Sequence, residues 1–393
     1  MMLFHRYILW NVAVTSLGAI LMFAFIVLLG EFMRDLFGML AEGQVTVGTC
    51  FRLVGLLLPY VFVHALPMGL LTGIMISMGR LSSQGEVVAL RASGVSIARL
   101  ASSVVFLAIL GVVTSIAVNF EFGPRAINAY RGEIAEAVRT GPLRFIIPRK
   151  FVKDFPGFVV YAGAKEDDVL RELWIWKLDD GGRTTSLIKA ESGTLELDEY
   201  EQTLRLLLRS GSIAKMDSKD PEDFSEIRGE LSFGSFPLEF PIDSILEKKP
   251  RRVKMYWLVG GELMSEWRRL DKLLSGEIDS EVRREAARML AEAKMAFHEK
   301  LAAGVSVLSF ALMAIPLGIS VQRKETSANL GIALGLGVLY YLMTALIGWG
   351  GGQGMPFPHL LYWIPNFLLQ GIGLWLIYRL DHGLKSKVKF VGA

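Results

Sequence analysis

Long uncharged stretches and one charged block divide the 393-residue chain. The first stretch, residues 8–30, has 23 positions without a charge and ends at Glu31. At about 1.5 Å per residue, a helix of this length crosses a hydrocarbon core of roughly 30 Å. The stretch exceeds the apolar region of about 7 to 15 residues that signal peptides have. We therefore interpret it as a retained first membrane span.

Further uncharged stretches predict five more spans. They are residues 53–79, 100–120, 301–322 and the stretch from 326 up to Arg379, the last divided in two by a polar break near residues 350–359. Three spans precede the charged block and three follow it. The pattern predicts an α-helical polytopic membrane protein with six transmembrane helices, three plus three, around an inserted domain.

The charged block has the pattern of a β domain followed by a helix. Strand-like runs lie at residues 157–164, 172–178, 187–190, 203–208 and 230–236, with turn residues at 179–182 and 209–211. Several short strands at this spacing favour a sandwich or barrel. From residue 254 to 297 helical periodicity returns, with Ala286, Met289, Leu290 and Ala293 on an apolar face.

Composition supports this division. The chain is 52% hydrophobic, which excludes disorder and a single ordinary soluble domain. Residues 121–298 hold 32 of the 39 acidic and 29 of the 42 basic residues, so the charges lie in the insert. One cysteine, Cys50, excludes an internal disulfide and a thiolate metal centre. A net charge of +3 without a basic run that contains aromatic residues argues against nucleic acid as a partner.

The basic residues of short loops predict the orientation, because such loops stay cytoplasmic. Ten lie on one side: Arg6, Arg80, Arg91, Arg99, Arg323, Lys324, Arg379, Lys385, Lys387 and Lys389. Three lie near the other: Arg34, Arg52 and Lys300. We expect both termini in the cytoplasm and the insert in the exterior or periplasm.

The loop between spans two and three is the most informative cytoplasmic segment. Residues 86–92 are compatible with a short helix, which Ser82 or Ser83 can cap and Gly94 can end in the left-handed conformation. One interpretation is a docking element for a cytoplasmic partner, with Glu86 and Arg91 as charged contacts. The alternative is an ordinary surface turn between two spans.

Motifs on both sides of the insert resemble one family. They are residues 66–68, 79–82, Glu86 and 91–96 before the insert, and Glu299, 315–319, 340–341 and 363–366 after it. Their order and the three-plus-three layout are similar to the LptF/LptG permeases of lipopolysaccharide export over essentially the whole chain. The resemblance implies a first transmembrane half at 1–120 with a coupling helix at about 82–94. It further implies a periplasmic β-jellyroll with a helical linker at 121–297, and a second half with a basic cytoplasmic tail at 298–393.

The resemblance also implies a function and partners. The chain would be the permease subunit that extracts lipopolysaccharide from the bacterial inner membrane and passes it through its jellyroll to a periplasmic transfer protein. Its other partners would be a homologous permease subunit and a cytoplasmic ATPase dimer. Glu86, before Ala92, Gly94 and Ser96, would enter a groove on the ATPase, and Arg34 would contact the anionic lipid headgroup.

The residues themselves show no catalytic machinery. No G-x-x-x-x-G-K-[ST] loop is present, so ATP and Mg²⁺ would be used by the partner, and this chain would bind no cofactor or metal. His298-Glu299 begins like a zinc-protease motif, but Ala302 stands where the second histidine is required. Gly69 and Gly73, like Gly331 and Gly335, are spaced for close helix approach, either at a gating seam or in ordinary packing.

Two other classes of function remain open from the residues alone. An intramembrane lipid-modifying enzyme or protease needs an acid, base or nucleophile that converges at the membrane interface, and the sequence shows no such set. A non-transporting scaffold or sensor needs only the insert and its membrane attachment. The Glu86 segment distinguishes these classes, because only a transport subunit needs it to couple to an ATPase.

Overall fold

The computed structural model describes residues 2–140, 148–152, 157–166, 169–179, 183–198, 203–215, 230–241, 255–276, 279–320, 326–353 and 357–383. The basic residues at 323–324 and 385–389 and turn residues 180–182 lie outside this part of the chain. The chain forms two compact units. One comprises Met1–Arg34, Val54–Ala129 and Lys254–Ala393, and the other comprises Asp35–Leu53 and Tyr130–Val253.

The prediction of six spans is confirmed over the described residues. Spans one to six are His5–Ala41, Val47–Ser83, Ile97–Ile134, Ser280–Ser320, Leu330–Gly351 and Pro358–His382. The helices are α1 Met2–Leu28, α2 Arg34–Ala41, α3 Val47–Ser83, α4 Glu86–Ala92, α5 Ile97–Ala117, α6 Gly123–Thr140, α7 Gly260–Leu274, α8 Ser280–Ser320, α9 Thr326–Gly352, α10 Pro358–Leu361 and α11 Ile364–Gly383. Spans one and three each contain one π-helical turn, at Leu29–Met33 and Val118–Phe122.

Span four is the centre of the helical unit. Its apolar segment is 78% buried, against 17% for span five, which lies at the periphery. Small residues allow neighbouring helices to approach closely. A Cβ added at Gly304 would meet Ile116 of span three, and one added at Gly318 would meet the Met75 backbone of span two.

The helical segment predicted from residue 254 to 297 contains two helices, and the second of them continues as span four. Helix α7 ends near Ser275, and α8 begins at Ser280. The predicted apolar face is confirmed, because Ala286, Leu290 and Ala293 are buried against α7. The two helices therefore form a small hydrophobic core at the start of span four.

Within the described residues, the insert forms one six-stranded antiparallel sheet, which is consistent with a jellyroll-like domain. Its strands are β1 Phe151–Val152, β2 Phe158–Glu166, β3 Val169–Leu178, β4 Thr184–Asp198, β5 Thr203–Lys215 and β6 Glu230–Pro241, paired in sequence order. The five predicted strands are confirmed and are longer than predicted. Alternate residues such as Leu173 and Ile175 are buried together, which is the period of two expected for a half-buried sheet.

The turn predicted at residues 209–211 is wrong. These residues lie inside β5, where Arg209 pairs with Ser235 and Gly211 pairs with Phe233. Ser210 between them has a φ of 51°. Left-handed backbone is uncommon outside glycine, so the turn-like composition marks a local distortion within a continuous strand.

Candidate functional site

The loop helix α4 begins without the predicted serine cap. Helix α3 continues through Ser83, and Gly85 forms the N-cap of α4 with a φ of 76°, which glycine adopts without strain. The hydroxyl of Ser82 instead donates to the carbonyl of Ile319 in span four at 2.8 Å, and that of Ser83 donates to Arg80 at 2.9 Å. The cap prediction is wrong because span two is longer than its uncharged stretch.

The end of the loop helix is built as predicted. Gly94 has a φ of 84°. The Gly94 amide donates to the Arg91 carbonyl and the Val95 amide to the Leu90 carbonyl, which is the Schellman pattern of helix termination. Ser96 then caps span three by accepting the amide hydrogen of Arg99 at 3.2 Å. Gly94 and Ser96 thus fix the path of the chain from α4 into α5.

The Arg91 side chain is directed into the protein. Its guanidinium donates to the carbonyl oxygens of Leu380 at 2.9 Å and Asp381 at 3.1 Å, in the last turn of span six. The Asp381 carboxylate accepts the backbone amide hydrogen of Ile97 at 3.0 Å, at the first residue of α5. The loop helix, span three and span six are therefore joined by side chains at this end of the bundle.

Glu86 lies at the other end of the loop helix. Its two carboxylate oxygens both lie 3.2 Å from the Tyr7 hydroxyl of span one, which donates to them. Arg80 donates to Asn11 of the same span at 2.8 Å. The Glu86 side chain is half-buried.

The outer face of the loop helix is small and apolar. Val88 is 69% exposed, and Ala89 and Ala92 are also exposed. Val87 is buried on the opposite side. The loop helix is therefore held on one side and bears small apolar residues on the other.

Arg34 lies at the other end of span one. It is the first residue of α2, directly after the π-helical turn, and its side chain is exposed. Of the acidic residues that follow it in sequence, Glu42 is occupied by an ion pair with Lys150.

The two glycine pairs have different environments. A Cβ added at Gly69 or Gly73 would lie within 3.0 Å of backbone atoms of Ile20 or Ser16 in span one, so both glycines permit close packing of spans one and two. A Cβ added at Gly331 or Gly335 would meet no atom of the described residues within 4 Å, and both glycines are exposed. The sequence pattern is the same in both pairs, but among the described residues only the first pair packs against another helix.

Lys300 is fully enclosed in the middle of α8, with 1% of its surface exposed. Its ammonium donates to the Leu258 carbonyl at 2.7 Å. It also lies 5.7 Å from the ring centre of Phe120 and 5.5 Å from that of Tyr256, within cation–π range. Burial raises the pKa of Tyr256, so its phenol is neutral beside the ammonium. We call these four residues the Lys300 cage.

A chain of buried polar groups continues along span four from the Lys300 cage. The Tyr362 hydroxyl bonds to Glu299, and the Asn366 amide donates to the Ala302 carbonyl at 2.9 Å. Ser309 donates to the Asn366 side-chain oxygen at 2.8 Å. These bonds join span six to span four. The family-like residues Glu299 and Asn366 thus have structural partners.

The histidines of the sequence have packing partners. His64 lies between the rings of Tyr60 and Tyr341, with centroids at 6.1 and 5.8 Å. His298 accepts a hydrogen bond from the Trp363 indole at 3.1 Å. Within the described ranges, no group of three or more histidine, cysteine or acidic residues is arranged to hold a metal ion.

Sequence reasoning missed Asp381 and the enclosed position of Lys300. For Asp381, the available signal was an acidic residue directly after the apolar stretch of span six. For Lys300, it was a charge immediately before the uncharged stretch of span four. Neither signal identifies the group that the side chain contacts, because the Ile97 amide and the Leu258 carbonyl are distant in sequence from Asp381 and Lys300.

Two comparisons with known proteins agree with this architecture. Residues 6–379 match the family described as lipopolysaccharide export system permease LptF/LptG. A stretch of 170 residues is 26% identical to the lipopolysaccharide export system permease protein LptG of Haemophilus influenzae. The stretch covers 43% of this chain and 47% of that protein, so the chain spans about half the length of the curated relative that it matches.

Proposed function

Because this chain belongs to the LptF/LptG family of lipopolysaccharide export permeases, we propose that it is the transmembrane subunit of an ATP-driven lipopolysaccharide exporter. It extracts the lipid from the inner membrane and has no catalytic activity of its own. A separate cytoplasmic ATPase dimer supplies the energy and uses ATP and Mg²⁺. A homologous permease subunit completes the membrane part, and the exposed glycines Gly331 and Gly335 of span five suit a helix contact with it.

The loop helix is the observation on which the proposal rests. The exposed face around Val88, Ala89 and Ala92 is available to a partner, and Glu86 stands at its start. On its other side Val87 is buried, and Arg91 in its last turn donates to two carbonyls of span six. A partner that moves this helix therefore acts on the membrane bundle as a whole, as a coupled transporter requires.

The excess of basic residues at the loop-helix end supports a cytoplasmic location for this end and for both termini. The insert then lies in the periplasm. Its antiparallel sheet is of the kind that can pass an acyl chain along a hydrophobic face, and we propose that it hands the lipid to a periplasmic transfer protein.

The direct test is the composition and activity of the purified complex. We expect a second six-span homologue and a nucleotide-binding subunit to copurify with this chain, and ATP hydrolysis to rise when lipopolysaccharide is added. Glu86→Lys should lower the lipid-stimulated hydrolysis about tenfold or more, because it removes a charge-assisted contact with the ATPase. Membrane insertion should be unchanged.

Two matched variants separate docking from internal structure. Tyr7→Phe removes the hydroxyl that bonds to Glu86 but leaves the carboxylate in place, so hydrolysis should stay within about twofold. Glu281→Lys makes the same charge change at an exposed position at the start of α8 and should have no effect. Full lipid-stimulated hydrolysis by the Glu86→Lys complex contradicts the coupling assignment.

Arg34 gives a separate test of the lipid contact. Arg34→Glu places a carboxylate where we propose that an anionic headgroup binds. We expect lipopolysaccharide to bind about fivefold more weakly, which corresponds to about 1 kcal/mol for an exposed charge pair. Binding to the complex in nanodiscs can be measured by titration with labelled lipid. Arg284→Glu, on an exposed face of α8, is the control, and equal binding by the two variants excludes the headgroup role.

A further inference from the structure

Arg91 and Asp381 bridge three chain segments that are far apart in sequence. Arg91 stands in the last turn of the loop helix, and its guanidinium fork contacts two consecutive carbonyls of span six. Asp381, which supplies one of those carbonyls, uses its carboxylate on the first amide of α5. The three hydrogen bonds have lengths of 2.9, 3.1 and 3.0 Å, so all of them are normal bonds.

Each of the two charges lies at the helix end that it stabilises. The last carbonyls of a helix have no partner within the helix and carry partial negative charge, which a cation stabilises. The first amides of a helix carry partial positive charge, which a carboxylate stabilises. Arg91 meets the carboxyl end of span six, and Asp381 meets the amino end of span three. Both charges are therefore satisfied at part-buried positions.

Span six, in turn, is tightly joined to the centre of the bundle. A Cβ added at Gly373 would lie within 3.0 Å of the Leu312 backbone of span four, so the two helices are in close contact. Hydrogen bonds between Ser309 and both Asn366 and Gln370 add to this contact. A displacement of the end of span six is consequently passed to span four.

We infer that Arg91 and Asp381 are positioning residues that transmit movement of the loop helix to spans three and six. Arg91 is thereby assigned to the inside of this subunit rather than to the surface that meets the ATPase. The inference rests on the proposed function, in which an ATPase docks on the loop helix. Beyond that function, we infer that docking moves spans three and six, and that Asp381 is needed for this movement in addition to Arg91.

The test compares docking with coupling in the complete complex in proteoliposomes. The variants are Arg91→Ala and Asp381→Ala, and Arg379→Ala, an exposed neighbour, is the control. We expect both bridge variants to retain the nucleotide-binding subunit on purification. The amount of lipopolysaccharide released per ATP hydrolysed should fall about tenfold, because charge-assisted bonds between segments are lost. The control should match the unmodified complex.

Conservative variants distinguish transmission from a general structural defect. Asp381→Asn keeps an oxygen that accepts the Ile97 amide hydrogen, so it should retain most of the lipid release per ATP that Asp381→Ala loses. Arg91→Lys keeps the charge but lacks the rigid fork that donates to the two carbonyls from two separate nitrogens, so it should give an intermediate ratio. If the alanine variants do not yield folded complexes, the lipid release per ATP of Asp381→Asn and Arg91→Lys tests the inference by itself.

The outcomes separate this inference from the proposed function. Loss of the nucleotide-binding subunit from Arg91→Ala overturns the inference, because Arg91 is then a contact with the partner. An unchanged lipid release per ATP in both bridge variants also overturns it. If the unmodified chain copurifies with no nucleotide-binding subunit, the proposed function itself is wrong, whatever the variants do.

Discussion

Lys300→Ala should lower the free energy of unfolding by about 3 kcal/mol, through a lost charge-assisted hydrogen bond and a cavity. The substitution removes the donor to the Leu258 carbonyl and the cation from between Phe120 and Tyr256. It also leaves the volume of the long side chain empty. The midpoint of thermal unfolding in detergent, followed by tryptophan fluorescence, measures the effect.

Lys300→Met is the matched control for this prediction. It fills most of the same volume and removes the charge together with the cost of burying it, so it should be less destabilising than alanine, at about 1 to 2 kcal/mol. Lys300→Glu should be the most damaging of the three, because a carboxylate then faces the Leu258 carbonyl. An alanine variant that unfolds within about 0.5 kcal/mol of the unmodified protein contradicts the structural importance of the cage.

Gly73→Val should separate span one from span two and destabilise the helical unit by about 2 to 3 kcal/mol. The clash is with the backbone of Ser16, which no change of side-chain rotamer can relieve. Gly69→Val should have a similar effect through Ile20. Thermal unfolding in detergent again measures the loss, and cysteine cross-linking between the two spans tests whether they have moved apart.

The second glycine pair provides the control. Gly331→Ala and Gly335→Ala place a methyl group in open space on the exposed face of span five, so unfolding of the isolated chain should change by less than about 0.5 kcal/mol. If Gly73→Val and Gly335→Val destabilise the isolated chain equally, the contrast between the two pairs is wrong.

Local features of the sequence were sufficient for the outline of the fold. The uncharged stretches located the six spans, and the alternation of apolar residues located five of the six described strands. Gly94 was placed correctly because its role depends only on its neighbours and on its lack of a Cβ. Errors arose where composition was ambiguous. Ser82 and Ser83 prefer caps in general, but here a longer helix includes both.

The candidate site was predictable only in part. The position of the loop helix followed from the sequence, and its docking role and that of Glu86 remain predictions. The inward direction of Arg91 could not be predicted, since its acceptors at Leu380 and Asp381 lie 289 and 290 positions further along the chain. A charged residue in a loop most often faces solvent. Arg91 instead faces the protein, because the carbonyls at the end of span six accept its hydrogen bonds.

The sequence by itself determined which segments enter the membrane and which form the insert, because transfer into hydrocarbon depends on the residues of each segment alone. The tertiary structure decided which polar groups turn inward and which glycines touch another backbone. Those outcomes depend on the atoms that lie opposite: an aromatic pair and a carbonyl for Lys300, a helix end for Arg91, and the backbone of span one for Gly73.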